Sequence, residues 1–579
     1  MGASASGSVQ HYAIVELKRK ANVRNPRLFD YRPAATRRQN SVRQTVQHAL
    51  SCLALLACAG SSQMLGAQAV SVTTYHNDNS RLGLNDKETI LTNANVNVAQ
   101  FGKLFSRTVD GYSYAQPLYL PAVNIPGRGS HNVVYVATEH DTVYAFDGDD
   151  KQGLNREPLW QRSFIDPANG ITTVSSLEDA GCTDLVPEIG ITGTPVIDAQ
   201  TETMYVVVRT KENGQFFQRL HALDLVTGAE KLGGPVTITA QVRGTGDGSV
   251  SGMVSFDPLR NNQRSGLLLV NGMVYIAWAS HCDIGPYHGW VMSYDAHTLR
   301  QKSVWNSTPN AGLGGVWQAG AAPAADDDGN VYFATGNGGF DANAGGSDFG
   351  DSVVKVGLPI LHRLPVLDYF TPHDQQILDD QDLDLGSGGP ILLPTQSPHA
   401  PHRHLLTLGS KGGVVYLVDR DNMGHFNPEN DNQIVQSLPT SISLTGGDAT
   451  WWNHTLYFIP VFDTLKALRF DPKLGLISPI PTSQTLAFFN YPTAFLSASS
   501  NGKKDAIVWA LQDDGYPGGS AILRAYDARN LETELYNSVE NLGRDDPGPA
   551  GKWTVPTIAN GKVYFTTRRH LVVYGLLPQ

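Results

Sequence analysis

Short apolar runs recur along this chain in one arrangement. A strand rich in β-branched and aromatic residues, with a Tyr, is followed after a gap by a second such strand that ends in Asp in most copies. The clearest copy is VVYVATEHDTVYAFD at residues 133–147. Further copies lie at residues 204–224, 273–295, 330–356, 404–419, 455–471, 506–527 and 562–576. Runs of this composition, bounded by Gly, Asn, Asp and Pro, are typical of β-strands.

Eight copies of an all-strand unit predict an all-β fold, an eight-bladed β-propeller. A four-stranded blade buries its two apolar faces only between neighbouring blades, so the ring must close. Several copies carry a small residue and Pro before the Tyr strand, which suits the start of an inner strand because Pro lacks an N–H. We expect the strand around Tyr114–Pro121 to close the ring by joining the C-terminal copy. The Asp that ends a second strand is interpreted as a turn cap.

The chain divides into a basic N-terminal extension with an export signal, residues 1–69, and a single propeller, residues 70–579. A basic stretch leads into an uncharged apolar run at 49–60, and small residues end in AQA at 67–69. This is the order of a secretory signal. We favour cleavage after Ala69; the alternative is LLAC at 55–58, which resembles a lipoprotein box with Cys58 as the anchored residue. The protein is therefore predicted to be periplasmic or secreted, with no transmembrane span.

Charge and cysteine content narrow the classes of partner. Residues 70–579 carry 34 Lys and Arg against 52 Asp and Glu, a net charge of −18. An acidic body argues against nucleic acid, which binds basic surfaces. Cys182 and Cys282 are the cysteines of this body. In an oxidising compartment they either pair or remain separate thiols, and the sequence leaves both readings open.

Function is expected in the long insertions, because blades serve as scaffold. The insertions begin at Gly181 (GCTDLVPEIG), Ser280 (SHCDIGPYHGW), Gly314 (GGVWQAG, then ATGNGGFDANAGG), Tyr369 (YFTPHDQQILDDQDLDLGSGG) and Gly409 (GSKGG). At these segments, and at 75–105, the sequence resembles the PQQ-repeat family of eight-bladed quinoprotein alcohol dehydrogenases. That family holds pyrroloquinoline quinone and a calcium ion on the propeller axis. The resemblance extends over most of residues 75–577 and is specific at a few positions.

The resemblance implies a metal and base set. TGN at 335–337 resembles the segment that supplies an Asn ligand, which indicates Asn337, and Asp283 occupies the place of a Glu ligand. The catalytic Asp follows TPHD, so Asp382 is the best match, both as base and as metal ligand, and Asp384 is the next. Calcium prefers such oxygen ligands and would act as a Lewis acid. A carboxylate base would take the proton of an alcohol.

The same resemblance implies a quinone set of three residues. Trp317 stands where a Trp forms the floor under the quinone ring, Lys411 matches a basic residue at the quinone oxygens, and Cys182 lies in the stretch that holds a vicinal cysteine pair. The sequence departs from the family pattern at three positions. Thr183 replaces the second Cys, Asp283 is one carbon shorter than Glu, and Glu188 stands where the family has Arg. No CxxCH haem motif occurs, so electrons would leave to a separate acceptor.

Two classes of function follow. The first is a dehydrogenase dependent on pyrroloquinoline quinone and calcium, acting on a small-molecule alcohol. The alternative is a non-catalytic envelope propeller that binds protein or glycan, with a calcium site lacking quinone as an intermediate case. Each candidate also has an ordinary structural reading: a core Trp at 317, a turn at 337, a charged loop at 379–384 and a hairpin lysine at 411. The sequence leaves the substrate and the oligomeric state open.

Overall fold

The computed structural model describes residues 69–149, 153, 155–440 and 449–578. The export signal and Cys58 lie outside these residues, apart from Ala69, and remain predictions. Within the described residues the main strands form eight sheets in chain order, which confirms the predicted eight-bladed propeller. We name the four main strands of each blade a to d, from the inner to the outer edge.

The strand bounds of blades 1 to 4 follow, a to d in each blade. Blade 1 has Leu118–Ile125, Gly129–Thr138, Thr142–Asp147 and Trp160–Ser163. Blade 2 has Val196–Asp198, Thr203–Glu212, Gln215–Asp224 and Val236–Thr237. Blade 3 has Leu268–Val270, Met273–Trp278, Trp290–Asp295 and Gln301–Asn306. Blade 4 has Ala324–Ala325, Val331–Ala334, Val353–Val356 and Val366–Thr371.

Blades 5 to 8 complete the ring. Blade 5 has Ile391–Leu392, Leu405–Gly409, Val414–Asp419 and Gln436–Pro439. Blade 6 has Thr450–Trp452, Thr455–Phe458, Asp463–Asp471 and Ser483–Phe489. Blade 7 has Ala494–Asn501, Lys504–Gln512, Ile522–Asp527 and Glu534–Asn537. Blade 8 has Thr557–Ala559, Lys562–Thr566, His570–Leu576 and, as strand d, Phe101–Thr108.

Short strands and helices are added to the four main strands of the blades. The additional strands are Leu84–Asn85 on blade 7, Ile171–Thr172 on blade 2, His425–Phe426 on blade 4, Leu476–Ile477 on blade 6, and the two hairpins Val174–Ser175/Glu188–Ile189 and Gln241–Arg243/Met253–Ser255. The α-helices are Gln375–Asp380 and Leu542–Asp545, and the 3-10 helices are Pro167–Asn169, Gln318–Gly320, Ala342–Ala344, Leu385–Ser387 and Ser538–Asn541. No helix in the described part of the chain is both long and apolar enough to cross a bilayer.

The strand that closes the ring differs from the predicted one. Phe101–Thr108 pairs antiparallel with His570–Leu576, from Phe101 opposite Leu576 to Thr108 opposite His570. The segment expected to close the ring, Tyr114–Pro121, instead leads into strand a of blade 1. The expectation was wrong because Pro117 marks the start of an inner strand, the same signal that was recognised in other copies. An inner strand cannot also be the outer edge of blade 8.

The core consists of apolar layers between neighbouring blades. Along strand b of blade 1, Val133 and Tyr135 pack against blade 2, whereas Val134 and Val136 pack against blade 8. Side chains of a strand alternate between its two faces. Because both faces are covered, the strands read as continuous apolar runs rather than as alternating ones.

The recurring Tyr and Asp form one device between blades. Tyr135 of strand b donates to the carbonyl of Leu225, the residue after the Asp that ends strand c of the next blade. The same hydrogen bond joins Tyr205 to Ala296, Tyr457 to Ala528 and Tyr564 to Gly148. The preceding Asp accepts from the turn's backbone, as Asp224 does from the N–H groups of residues 226 and 227. The Asp residues are therefore turn caps, as predicted.

Antiparallel order fixes which connections share a face. The b–c turns and the links from strand d to the next strand a all leave on one face of the ring, which we call the upper face. The a–b and c–d turns, with their Asp caps, lie on the opposite lower face. All the long insertions singled out in the sequence are b–c turns or d–a links. The fold therefore brings them together on the upper face.

Candidate active site

A cavity of 510 Å³ opens at the centre of the upper face. Its walls come from links and turns around most of the ring, which places it near the propeller axis. The lining residues are Thr183, Asp184, Ala279, Ser280, Cys282, Asp283, Tyr287, Gly315, Trp317, Asn337, Asp384, Lys411, Tyr491, Lys552 and Trp553. The structure thus brings together Asp283, Trp317, Asn337 and Lys411 of the sequence-derived set.

Asp384, in the link from blade 4 to blade 5, is one of the carboxylates of this wall. Its Oδ1 accepts from the backbone N–H of Asn337 at 3.0 Å, and Lys411 Nζ lies 3.4 Å from its Oδ2. A Cβ at Gly336 would stand 2.4 Å from Oδ1, so only glycine admits the carboxylate there. Burial raises the pKa of Asp384, although the charge of Lys411 opposes this. The group is thereby tuned toward proton exchange.

Asp382 lies differently, although the sequence favoured it. Its side chain is 58% exposed, and its Oδ2 accepts from Lys411 Nζ at 2.7 Å. Among the described residues that line the cavity, Asp384 is present and Asp382 is not. Asp382 itself has a left-handed backbone, with φ of 54°, two residues after the helix Gln375–Asp380. Lys411 therefore bridges an outer and an inner carboxylate.

Asp283 presents a second carboxylate to the cavity from the b–c insertion of blade 3. Its Oδ1 accepts from the hydroxyl of Tyr287 at 2.7 Å and from Ser280 Oγ at 3.0 Å. No Lys, Arg or His of the described chain lies within 4.0 Å of its oxygens. Burial raises the pKa of Tyr287 well above its ordinary value, and Asp283 adds to this. Asp283 is thus a carboxylate solvated by neutral hydroxyls.

Two indoles line the cavity together with Tyr287 and Tyr491. The rings of Trp317 and Trp553 stand edge to face, with centroids 5.3 Å apart and planes at 81°. The ammonium of Lys552 lies 3.8 Å from the ring centroid of Trp553 and also pairs with Asp184. A flat indole face offers an apolar surface to a planar ligand.

Cys182 and Cys282 form a disulfide, which answers the question that the sequence left open. Their Cα atoms are 5.7 Å apart, and the bond joins the link between blades 1 and 2 to the b–c insertion of blade 3. Cys282 lines the cavity, whereas Cys182 is buried behind it. The bond holds in place the two segments that carry Asp184 and Asp283.

Glu188, the apparent charge reversal, lies away from this lining. Its carboxylate accepts from His140 at 3.0 Å and from Thr173 at 2.8 Å. The cationic lining that the sequence reading missed is Lys552, next to Trp553. A signal existed: GKW at 551–553 precedes an inner strand that starts with Pro, as GVW at 315–317 does. The repeated phrase marks the two indoles of one cavity.

The donor set fits calcium by residue type. Asp283, Asn337 and Asp384 supply carboxylate and amide oxygens to one cavity. The side-chain amide of Asn337 has no hydrogen-bond partner within the described chain, although the residue is 8% exposed. Nowhere in the described ranges do three His, Cys, Asp or Glu side chains converge as a metal shell. A metal here would therefore take its remaining ligands from a cofactor or water.

Comparison with known proteins supports the fold. No protein-family model and no curated protein matches this sequence. The structure is similar to a quinohemoprotein alcohol dehydrogenase from Pseudomonas putida HK5, with a TM-score of 0.56, 14% identity, and coverage of 88% of this chain and 80% of that one. It is likewise similar to the quinohemoprotein alcohol dehydrogenase from Comamonas testosteroni, with a TM-score of 0.54, 13% identity, and coverage of 88% and 81%. The fold is therefore an eight-bladed propeller of the quinoprotein alcohol dehydrogenase type.

Proposed function

We propose that this protein is a dehydrogenase that uses pyrroloquinoline quinone and calcium to oxidise an alcohol-type small molecule. The observation that carries the proposal is the convergence of five residues from separate segments on one axial cavity: Asp283, Trp317, Asn337, Asp384 and Lys411. The volume of 510 Å³ lies within the range of small-molecule and cofactor sites. Convergence of this kind is not required for turns that merely close strands.

We assign the metal ligands to Asp283, Asn337 and Asp384, and the platform for the quinone to Trp317. Lys411 and Lys552 supply two positive charges to the lining, against three carboxylates from Asp184, Asp283 and Asp384. A bound divalent cation makes this lining net positive, which suits a cofactor that carries carboxylates. When bound, the quinone supplies the hydride acceptor and the calcium ion polarises it.

The chain's own part in the reaction is to hold the alcohol and take its proton. We assign that role to Asp384 rather than Asp382, because Asp384 lines the cavity and is fixed by the N–H of Asn337. Its raised pKa brings it closer to the range in which a general base works well. Before the transfer, the charge of Lys411 stabilises the ionised form of Asp384. The electrons leave to a separate acceptor.

The test is a titration of the purified protein with pyrroloquinoline quinone in the presence of calcium, followed by tryptophan fluorescence and dye-coupled alcohol oxidation. We expect saturable, calcium-dependent quenching that Trp317→Ala abolishes. Trp160→Ala, the same substitution on outer strand d of blade 1, is the control that should bind normally. Absence of binding at tens of micromolar cofactor contradicts the proposal. Calcium binding without quinone binding would favour the intermediate case, a calcium site that lacks quinone.

We also propose export to the cell envelope or beyond. The support is the signal-like order of residues 1–69 together with the disulfide between Cys182 and Cys282, since disulfides persist in oxidising compartments. Fractionation and N-terminal sequencing of the mature protein test this. A mature chain that starts after Ala69 supports cleavage, and one that starts at a lipidated Cys58 supports anchoring. A chain that keeps residues 1–69 in the cytoplasm contradicts export.

A further inference from the structure

A second cavity, of 330 Å³, lies on the upper face beside the active-site cavity. Its lining residues are Tyr112, Val186, Pro187, Pro549, Arg568, Arg569 and His570. Two segments separate the cavities: 184–187 presents Asp184 to the first and Pro187 to the second, and 549–553 presents Lys552 to the first and Pro549 to the second. The b–c turn of blade 8 supplies the basic residues.

The charge of this second cavity is opposite to that of the protein. Residues 70–579 carry a net charge of −18, yet the ionisable side chains of the lining, apart from Tyr112, are Arg568, Arg569 and His570. Neither arginine has a carboxylate oxygen within 4.0 Å in the part of the chain that the structure describes. Two neighbouring arginines therefore line one cavity, and no carboxylate of the described residues pairs with either of them.

Arg568 is held in a fixed orientation. Its Nε donates to the carbonyl of Ala550 at 3.2 Å, and its Nη2 donates to the carbonyl of Pro517. The guanidinium lies 5.6 Å from the ring centroid of Tyr112 and 5.2 Å from that of Tyr516. A guanidinium positioned in advance loses little conformational entropy when it binds an anion.

From this arrangement we propose that the second cavity binds a small organic carboxylate with an apolar or aromatic body. The arginines match the fork geometry of a carboxylate. The walls formed by Val186, Pro187, Pro549 and the ring of Tyr112 accept the body of the ligand. The volume of 330 Å³ matches a ligand of a few to about a dozen heavy atoms. This site goes beyond the proposed dehydrogenase and does not depend on it.

The experiment uses the full chain without added quinone and takes benzoate as the probe, measured by calorimetry or ligand-observed NMR at low ionic strength. Benzamide tests the need for charge, and acetate tests the need for an apolar body. We expect saturable benzoate binding, no detectable benzamide binding, and acetate binding weaker by about tenfold or more. Inorganic phosphate, which lacks the apolar body, should also compete poorly.

Three variants locate the site. Arg568→Gln should weaken benzoate binding by about tenfold or more, and Arg569→Gln by a smaller factor. Arg529→Gln is the matched control, because Arg529 pairs with Asp527 at the lower face. If Arg568→Gln fails to fold, judged by circular dichroism, Arg569→Gln decides, since Arg569 is exposed.

The proposal is overturned if benzoate shows no saturable binding up to about 20 mM, or if it binds both cavity variants as tightly as the wild type. Displacement of benzoate by pyrroloquinoline quinone, with the arginine variants unaffected, would place the carboxylate in the active-site cavity instead. That result also counts against a second site.

Discussion

The two faces of this propeller are formed by the same strands, but their turns have different roles. On the lower face, the c–d turns repeat one device, in which the residue after the capping Asp presents its carbonyl to a Tyr of the preceding blade. On the upper face, the b–c turns range from the two-residue turn at 213–214 in blade 2 to the insertion at 335–352 in blade 4. The repeated lower-face turns join neighbouring blades, and the irregular upper-face turns and links form the cavities.

The lower-face hydrogen bond recurs from blade to blade, whereas the contacts on the upper face differ at each position. A Tyr in strand b has the same surroundings in blades 1, 2, 6 and 8. Asp384, in contrast, depends on Gly336, Asn337 and Lys411, which come from two other segments. Substitutions on the lower face should therefore act on stability alone, and those on the upper face mainly on chemistry.

The largest expected effect is on the upper face. Asp384→Asn should lower kcat by about 10²–10⁴-fold, because the cavity-lining carboxylate that takes the proton is lost. Asp382→Asn should keep most of the activity, since Asp382 is 58% exposed and lies outside the cavity lining. Dye-coupled turnover at saturating quinone and calcium measures both. The reverse order, with Asp382→Asn inactive and Asp384→Asn active, would restore the assignment that the sequence favoured.

That assignment shows where sequence reasoning ends. The repeat of Tyr and Asp predicted the blades and the caps, because strand periodicity and turn chemistry are local. Which of the alternating residues Asp382 and Asp384 faces the cavity depends on the left-handed backbone at Asp382 and on the space left by Gly336. Both are set by contacts between segments far apart in the chain.

The strand that closes the ring and Trp553 are two further features that were not predicted from the sequence. Phe101–Thr108 pairs with a strand more than 460 residues later, and no local pattern distinguishes it from other outer strands. Trp553 was within reach, because the phrase GKW repeats GVW at Trp317. The family resemblance did not indicate it, because the specific positions of the resemblance lie in the insertions of the first five blades.

A second prediction concerns the disulfide, where an upper-face feature should carry stability. Cys182 and Cys282 are 100 residues apart, and closing a loop of this length stabilises a fold by about 2–4 kcal/mol in practice. The double variant Cys182→Ser/Cys282→Ser should therefore lower the free energy of unfolding by that amount, measured by urea denaturation. Reductant should weaken the wild type and leave the double variant unchanged. An unaltered midpoint in the variant would show that packing alone holds these two segments.

A third prediction tests the lower-face device directly. Tyr205→Phe removes a buried hydrogen bond of 2.6 Å to the carbonyl of Ala296 and should cost about 1 kcal/mol of stability without changing activity. Tyr275→Phe is the matched control. Its hydroxyl is buried with no partner in the described chain, since strand c of the next blade ends in Val356 rather than in a capped Asp.

Removing the Tyr275 hydroxyl should therefore leave stability unchanged or raise it slightly. Urea denaturation of the two variants, measured side by side, tests the comparison. Equal losses at Tyr205 and Tyr275 would mean that the hydroxyl contributes through packing rather than through the carbonyl of the next blade.

The smallest expected effect is a displacement of the pH profile. Only the ionised form of Asp384 accepts the proton, so kcat/KM should rise with pH along an acid limb that reports this carboxylate; without the metal, burial raises its pKa. The charges of Asp382 and Asp283 add to this rise, whereas Lys411 opposes it. In Asp382→Asn, one repulsive charge is gone, and the ammonium of Lys411 no longer pairs with a carboxylate at 2.7 Å, so more of its charge acts on Asp384 at 3.4 Å. Both changes favour the ionised base, and the limb should move to lower pH.

At the acid end of the range the Asp382→Asn variant should therefore be more active, relative to its own plateau, than the wild type. The measurement is kcat/KM between about pH 4 and pH 8 with quinone and calcium saturating. Asp380→Asn is the control, because it removes the same charge from the same loop but is not among the groups that act on Asp384. A limb that stays in place in Asp382→Asn would show that Lys411 remains fixed, and that the outer carboxylate has no influence on the inner one.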